Sequence, residues 1–254
     1  MPNVLVVGAS RGLGFEIASK YARNEYSVFA TSRSPPSSKG HHDIHWVTGV
    51  DIGTEEAGET IVKGLKGHKQ DIVIITAGYF RKESLNEPNF ADELQTYKTC
   101  AIGPVFVVHA LHKAGLLKNG SKVILVSSEA GSIGLRHEKE GGGLYSHHAS
   151  KAALNMVGKL LSLDLRDEGV AVAMVHPGFM RTEMTKNVGF DKFWDDGGAV
   201  TPDVAAKSLV EWVDDFEISH TGEYWAPRGP DDIGTAEQML GPKDSLPTPL
   251  QLPW

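Results

Sequence analysis

Short apolar runs rich in β-branched residues alternate along the chain with longer stretches of helical periodicity. The apolar runs predict strands at 4–7, 27–31, 44–50, 71–78, 122–128, 170–178 and 222–227. Helices are predicted between them at 12–24, 54–66, 90–116, 147–168 and 202–216. Strands separated by helices form βαβ units with right-handed crossovers. We therefore expect an α/β fold with a doubly wound parallel sheet, three layers (α/β/α) and a single domain.

Three segments are the least typical of regular structure, namely 32–43, 183–200 and the Pro-rich end of the chain from 227. The last predicted helix has a clear start, because Thr201 and Pro202 are typical of an N-cap and a first helical position. We expect one domain over 1–228, a substrate lid at 183–200 within it, and a C-terminal tail over 229–254.

Composition agrees with one globular domain, since 41% of the 254 residues are hydrophobic. The net charge is −7 and the basic residues are scattered, which argues against a nucleic-acid partner. No apolar stretch approaches the roughly 18 residues of a membrane span, and the N-terminal run lacks the basic start of a signal peptide. The single cysteine, Cys100, suits a reducing compartment. These features predict a cytoplasmic protein with no membrane partner.

The segment "VLVVGASRGLG" places Gly8, Gly12 and Gly14 directly after the first strand and at the start of a helix. Glycines at such a turn let the backbone approach a pyrophosphate, which the N–H groups and the dipole of the helix N-terminus attract. The position on the first βαβ unit predicts a dinucleotide site over residues 8–14, including Ser10, Arg11 and Leu13.

The second strand ends at Ser32 and Arg33, where an NAD site usually carries an acid for the ribose 2′-hydroxyl. Arg33, together with Arg11, can instead form charge-assisted hydrogen bonds to a 2′-phosphate. The sequence thus favours NADP(H) as the cofactor. Further candidate cofactor residues follow the third and fourth strands, namely Asp51, Ile52, Ala77 and Gly78. Asp51 is equally typical of a turn.

These residues together resemble the short-chain dehydrogenase/reductase family over roughly residues 3–228. The resemblance includes the glycine turn, Asp51, Ala77-Gly78, the "VSS" strand end, Lys151 in "SKAALN", and "HPGFMRT" at 176–182. It implies a Rossmann-type sheet that binds NADP(H), with the nicotinamide held near Pro177, Gly178 and Thr182. It also implies homodimers or homotetramers formed through the long helices, and tailoring of a secondary metabolite.

The family's catalytic residues match this chain only in part. Ser128 matches the serine that holds the substrate oxygen, and Lys151 matches the lysine that binds ribose and lowers the pKa of the catalytic tyrosine. The tyrosine itself falls on His147, the asparagine of the water relay falls on Cys100, and the asparagine of the Asn-Ala-Gly motif falls on Thr76. We therefore expect an atypical proton path, with the water relay rerouted or absent.

Two residues are candidates for the missing tyrosine. A spacing of four places His147 on the same helical face as Lys151, whereas a spacing of six places Tyr145 on another face. Lys151 lowers the pKa of a nearby imidazole, so a neutral His147 is expected to polarise a carbonyl rather than act as a strong acid. Tyr145 reaches the site only if the helix begins after it, with Ser146 as the N-cap. The third alternative is a reaction that needs neither residue.

Aromatic residues of the predicted lid region are candidates for an apolar substrate pocket. They are Phe179, Phe190, Phe193 and Trp194, with Met180 beside them. A zinc site is not expected, because His41, His42 and His45 have no cysteine or carboxylate at ligand spacing. We expect no metal.

Three functions fit these observations. The first is an NADPH-dependent reductase of a small to medium organic carbonyl or conjugated substrate, with protonation from His147, Tyr145 or water. The second keeps the fold but performs isomerisation, dehydration or cyclisation, as the missing tyrosine and asparagine allow. The third is an NADP(H)-sensing protein without turnover.

Overall fold

The computed structural model describes residues 1–35 and 43–254, and its centre is one eight-stranded sheet. The strands are β1 (Asn3–Val7), β2 (Ser27–Ser32), β3 (Ile44–Thr48), β4 (Gln70–Ile75), β5 (Leu117–Val126), β6 (Ala171–Val175), β7 (Glu223–Ala226) and β8 (Leu250–Gln251). Their order is β3-β2-β1-β4-β5-β6-β7-β8, with every pair parallel except β7 and β8. The first six follow the doubly wound order that was predicted.

Helices cover both faces of the sheet. They are α1 (Gly12–Arg23), α2 (Ala57–Leu65), α3 (Phe90–Tyr97), α4 (Gly103–Lys113), α5 (Tyr145–Asp164), α6 (Glu183–Asn187), α7 (Pro202–Asp215) and α8 (Ala236–Leu240). On one face, α1 and α7 pack together over one apolar core, and on the other face α2, α4 and α5 bury a second core. The central strands read as continuous apolar runs because both of their faces are covered.

The predicted helix at 90–116 contains a local irregularity. A π-helical turn, Lys98–Ile102, joins α3 to α4 and contains the buried Cys100. Such turns insert one residue into a helix and occur frequently at functional sites. Thr201 and Pro202 begin α7 as predicted, although the Thr201 side chain makes no capping hydrogen bond.

The tail predicted at 229–254 is more regular than its composition indicated. It contains α8 and adds β8 to the sheet, and Ile233, Ala236 and Leu252 are buried in the core. Near its end, the ring of Trp254 stacks on Tyr224 of β7 with centroids 6.0 Å apart. The tail is therefore part of the packed fold, which the sequence prediction missed because short elements rich in proline lack a clear period.

The order of the strands reverses between β1 and β4. In open parallel sheets of this kind, ligands bind in the crevice at the carboxyl ends of the strands at the point of reversal. The glycine turn after β1, Ala77-Gly78 after β4 and Ser128 after β5 all lie at that edge. No helix in the described part of the chain is long and apolar enough to cross a membrane.

Candidate active site

Two glycines of the turn after β1 are packed too tightly to carry a side chain. Gly8 has φ +92°, and a Cβ there would lie 2.7 Å from the Cα of Ala77. A Cβ on Gly14 would lie 2.5 Å from the carbonyl oxygen of Gly8. Both glycines are therefore required by the close approach of β1, β4 and α1.

The N-terminus of α1 has the properties of an anion site. Arg11 is its N-cap residue and makes no side-chain capping hydrogen bond, and the first turn contains no acid. The first backbone N–H groups of the helix are thus left for a ligand. Beside Gly12 there is open space up to Thr182, whose Cγ2 lies 4.0 Å from a Cβ built on that glycine. This cradle fits a dinucleotide pyrophosphate.

Thr76 precedes Ala77-Gly78, where the resemblance predicts an asparagine. Its hydroxyl donates to the carbonyl oxygens of Val7 (3.0 Å) and Gly8 (3.1 Å). The threonine therefore fixes the start of the glycine turn against β4, and this departure from the motif leaves the cofactor edge ordered.

The two arginines predicted for the 2′-phosphate have different surroundings. Arg33 is exposed directly after β2. Arg11 forms an ion pair with Glu183, the first residue of α6, with 2.7 Å between Nη1 and Oε2. No local pattern predicts this pair, because the two residues are 172 positions apart. Arg11 thus joins the glycine turn to the segment at 183–200, which we call the lid segment.

Asp51 acts as a turn residue in this structure. Its Oδ1 accepts a hydrogen bond from the backbone N–H of Gly53 (2.9 Å), and Ile52 beside it is buried. The carboxylate thereby closes an Asx turn after β3. This is the structural alternative that the sequence left open for Asp51.

The loop that carries Ser128 is held against α5 by buried hydrogen bonds. Ser127 donates to the side-chain carbonyl of Asn155 (2.6 Å), and the Asn155 amide donates to the carbonyl oxygen of Gly131 (3.3 Å). The Tyr224 hydroxyl donates to the carbonyl oxygen of Ser128. The Oγ of Ser128 accepts from the backbone N–H of Ala130 (3.2 Å). Ser128 is therefore fixed by its backbone, and its hydroxyl hydrogen is free to turn toward a ligand.

Lys151 lies beneath this loop. Its side chain is buried, and the ammonium group donates to the carbonyl oxygen of Val126 at the end of β5 (2.8 Å). The loop approaches so closely that a Cβ on Gly131 would lie 2.7 Å from the carbonyl carbon of Lys151. The positive charge is therefore fixed between the end of β5 and α5.

His147 is one helical turn before Lys151, and its ring stacks on Phe80 with centroids 4.1 Å apart. Burial lowers the pKa of His147 to about 3, and the neighbouring charge of Lys151 adds to this effect. The imidazole is consequently neutral at pH 7. Nδ1 of His147 is one of the buried polar atoms without a hydrogen-bond partner in the described part of the chain.

The start of α5 differs from the geometry that Tyr145 would need. The helix begins at Tyr145 with Leu144 as its N-cap, not after Tyr145 with Ser146 as the N-cap. The backbone N–H of Ser146 is instead bound by the buried carboxylate of Glu83. Tyr145 is 41% exposed, two residues before His147 on a different face of the helix. The structure therefore does not bring Tyr145 to the face of His147 and Lys151.

Cys100 is the residue that the resemblance predicts at the position of the relay asparagine. Its Sγ accepts from the backbone N–H of Tyr79 (3.5 Å), and the thiol lies 3.6 Å from the Tyr79 carbonyl oxygen to which it donates. A thiol is a weak hydrogen-bonding group, and both of its contacts are made to Tyr79. The side chain thus joins the π-helical turn to the loop after β4.

Aromatic rings of the lid segment and its flank meet Phe80 above the site. Phe190 contacts Phe80 edge-on at 5.8 Å between centroids, and it also contacts Phe179 (6.5 Å) and Phe193 (6.3 Å). Trp194 donates its indole N–H to Thr185, and Met184 of α6 lies over Gly78. These rings form an apolar wall that continues from His147.

The segment "HPGFMRT" follows β6 and leads into α6. Pro177 and Gly178 are buried, Gly178 has φ +102°, and Thr182 caps α6 by accepting from the backbone N–H of Thr185 (3.2 Å). Thr182 lies opposite the glycine turn, with its Cγ2 4.0 Å from a Cβ built on Gly12.

Metal ligands were not expected from the sequence. Within residues 1–35 and 43–254 there is no group of three or more His, Cys, Asp or Glu side chains that could hold a metal ion. His45 is on β3 with its ring 5.1 Å from Phe29, and His41 and His42 lie outside the described residues.

Four residues near the site were missed by sequence reasoning: Phe80, Glu83, Asn155 and Glu183. A signal existed only for Asn155, which is four residues after Lys151 and therefore on the same helical face. The other three come from distant parts of the chain and meet the site through tertiary packing.

Known proteins with similar sequences include dehydrogenases, which agrees with a dinucleotide site at this edge of the sheet. The family model for short chain dehydrogenases matches residues 2–192. The 1-hydroxy-2-glutathionyl-2-methyl-3-butene dehydrogenase of Rhodococcus sp. (strain AD45) is 30% identical over 226 residues, which cover 88% of this chain and 96% of the relative.

Solved structures share the fold at lower identity. The NADPH-bound carbonyl reductase from chicken fatty liver has a TM-score of 0.75 at 24% identity and covers 89% of this chain and 96% of its own. The carbonyl reductase Sniffer of D. melanogaster has a TM-score of 0.75 at 21% identity, with both chains covered completely. The family model matches most of this chain, so the chain belongs to the short-chain dehydrogenase family of oxidoreductases.

Proposed function

We propose that this protein is an NADPH-dependent reductase of a small to medium organic substrate that carries a carbonyl group or a conjugated double bond. The observation that carries the proposal is the position of His147 and Lys151 on one face of α5, beside the loop of Ser128 and at the sheet edge that bears the glycine turn. Fixed hydrogen-bond donors and a fixed positive charge at one edge favour a reaction in which negative charge develops on a substrate oxygen.

The residues at the cofactor end fit NADPH. The glycine turn and the N-terminus of α1 would hold the pyrophosphate, Arg33 and Arg11 the 2′-phosphate, and Thr182 the nicotinamide. When bound, the reduced nicotinamide supplies a hydride to the substrate. The lid segment would exclude water from the site through its aromatic wall.

His147 acts in this proposal as a neutral hydrogen-bond donor to the substrate oxygen. Nδ1 of His147 is buried without a hydrogen-bond partner in the described residues. In the tautomer that carries the proton on Nε2, the Nε2–H group is therefore the donor that the substrate oxygen can use. A neutral imidazole polarises a carbonyl without giving up its proton, as in other enzymes that use neutral histidine as an electrophile. Ser128 donates a second hydrogen bond, and the oxygen takes its proton from water.

The names of three similar proteins support the reaction class. The Rhodococcus relative is named as a dehydrogenase of a hydroxylated compound, and the chicken and Drosophila proteins are named as carbonyl reductases. An alcohol dehydrogenase and a carbonyl reductase describe the two directions of one redox couple. A role in secondary metabolism and a cytoplasmic location stay predictions.

We also propose that the protein forms homo-oligomers through the helices at 102–106 and 156–163. Large apolar side chains on these helices are exposed, which favours a covered face. They are Ile102, Val105, Phe106, Met156, Leu160 and Leu163. Sedimentation equilibrium of the full chain tests this, with a mass above one chain expected and a monomer at all concentrations contradicting it.

The experiment for the proposed reductase is a binding titration followed by turnover. We expect NADPH to quench or shift protein fluorescence with saturation, and NADPH absorbance at 340 nm to decay when aldehydes, ketones and enones are added. Ser128→Ala should keep NADPH binding and lose turnover by about 10²-fold or more, because one donor to the developing charge is removed. Absence of saturable NADPH binding would reject the proposal.

A further inference from the structure

A second cavity of about 650 Å³ lies away from the glycine turn and His147, between the end of α7, β7 and the C-terminal tail. Its volume falls within the range of about 300–1,000 Å³ that is usual for small-molecule sites. None of the residues placed in the candidate active site lines it. Its walls are formed by Ser208, Glu211, Trp212, Asp215, Phe216, His220, Trp225, Pro227, Arg228, Asp231, Thr248 and Pro249.

Four rings on the wall form a continuous aromatic cluster. Trp212 contacts Phe216 at 4.8 Å and Trp225 at 6.3 Å between centroids, and His220 contacts Trp225 at 5.7 Å. Glu223 fixes two of these rings, because its Oε2 accepts from the Trp225 indole N–H (3.1 Å) and lies 3.0 Å from Nδ1 of His220. The aromatic wall is therefore positioned by a specific polar contact.

The charge of the lining is negative. Glu211, Asp215 and Asp231 are exposed carboxylates on the wall, and Glu211 is paired with Lys207 at 3.9 Å. Among the described lining residues, Arg228 and His220 are the basic ones, and the Arg228 guanidinium is offset by Asp232 at 2.6 Å. Asp215 is also the last residue of α7, where Nζ of Lys122 donates to the carbonyl oxygens of Val213 (2.7 Å) and Asp214 (2.8 Å).

Aromatic faces and carboxylates together attract a cation that is weakly hydrated. Trp is the most favourable ring for this interaction, and organic cations such as quaternary ammonium groups are the usual ligands of such aromatic sites. An inorganic cation would need several oxygen ligands at short range, and no group that could hold a metal ion occurs in the described residues. A neutral apolar ligand would make no use of the carboxylates of Asp215 and Asp231, which form no ion pair within the described residues.

We propose that this cavity is a binding site for a small organic cation with a quaternary ammonium group, separate from the catalytic site. The cation lies against Trp212 and Trp225, with Asp215, Asp231 and Glu211 around it. This site does not depend on the proposed reductase activity.

The test is isothermal titration calorimetry of the full chain with choline and with its neutral isostere, 3,3-dimethylbutan-1-ol. The two probes have the same shape, so a difference between them measures the contribution of charge. We expect choline to bind about 5- to 30-fold more tightly than the isostere, which is the range that cation–π attraction supplies. Equal affinities, or no saturable binding of choline up to about 50 mM, well beyond the range of a millimolar dissociation constant, would overturn the proposal.

Variants separate the aromatic and acidic parts of the site. Trp225→Leu should weaken choline binding by about 10-fold, and the double change Asp215→Asn with Asp231→Asn by about 3- to 10-fold. Asp215 and Asp231 are exposed, so the double variant should fold as the unmodified protein does. It therefore tests the site even if Trp225→Leu does not fold. Glu59→Gln on α2, across the sheet, is the matched control and should leave choline affinity unchanged. Unchanged affinity in the double variant would contradict the assignment.

Discussion

The imidazole of His147 stacks on the phenyl ring of Phe80, with 4.1 Å between centroids and 24° between the ring planes. Phe80 follows β4, and His147 is on the first turn of α5, so the contact joins two elements that lie far apart in the chain. The stack buries the imidazole, and burial is the main cause of its lowered pKa. Phe80 thus helps to keep neutral the ring that lies one helical turn before Lys151.

Replacing the imidazole should remove activity without removing the cofactor. His147→Phe keeps a flat ring against Phe80 but has no hydrogen-bond donor, so we expect kcat to fall by about 10²- to 10³-fold. The dissociation constant of NADPH should change by less than about 3-fold. His148→Phe is the matched control, because its Nδ1 contacts the Leu144 carbonyl oxygen instead. Equal loss of kcat in both variants would show that His147 has no special role.

Removing the stacked ring should make His147 easier to protonate. Phe80→Leu exposes the imidazole to water, so its pKa should rise from about 3 toward the ordinary value of 6.5. The pKa is measured by NMR titration of histidine ring signals in the protein without substrate. Phe90→Leu changes a phenylalanine that is 82% exposed and should leave the His147 titration unchanged. An unaltered titration in Phe80→Leu would contradict the role given to the stack.

Acid should destabilise the protein through His147. The unfolded chain binds a proton on this ring near pH 6.5, whereas the folded chain does so only near pH 3. Stability from the neutral ring is therefore complete above pH 6.5 and is lost as the pH falls, by about 1–2 kcal/mol between pH 7 and pH 5. Urea unfolding at several pH values measures this loss.

The same experiment on His147→Phe provides the comparison. The fall in the free energy of unfolding between pH 7 and pH 5 should be smaller in this variant. Some acid sensitivity should persist, because burial also lowers the pKa of His176. If both proteins lose equal stability on acidification, His147 is not neutralised by folding.

The cofactor preference should depend on Arg33 and on the pair between Arg11 and Glu183. Arg33→Glu should raise the dissociation constant of NADPH by about 10-fold or more and change that of NADH by less than about 3-fold, since only NADPH carries the 2′-phosphate. Glu183→Gln frees Arg11 from an exposed ion pair and should tighten NADPH binding by up to about 5-fold. Fluorescence titration with both cofactors checks this. Equal weakening of NADPH and NADH in Arg33→Glu would contradict the assignment.

Most of the fold could be predicted from the sequence, because strong local periods produce the central strands and long helices. Each of the seven predicted strands and five predicted helices is present, with ends that differ by a few residues. The exceptions are elements whose sequences have only a weak local period. Short elements such as β8 and α8 are stabilised by burial against the sheet rather than by a pattern of their own.

The parts of the site whose residues lie on one helix or strand could be predicted. The contacts between residues that are far apart in the chain could not. Helical spacing placed His147 beside Lys151, and the coupling of their charges agrees with that spacing. The predicted start of this helix at residue 147 is two residues too late. The carboxylate of Glu83, from another part of the chain, accepts a hydrogen bond from the backbone N–H of Ser146, and α5 begins at Tyr145. Likewise, no local pattern indicates that Arg11 pairs with Glu183.

The most direct test of the reductase follows the hydride itself. NADPH with deuterium at both C4 positions is incubated with the enzyme and each carbonyl substrate of the panel, and the product is analysed by mass spectrometry. We expect one deuterium on the former carbonyl carbon or conjugated carbon of the product, and slower product formation in Ser128→Ala and His147→Phe. Substrate converted without change of mass and without NADPH, or no deuterium in any product while NADPH is bound, would contradict the proposed reductase.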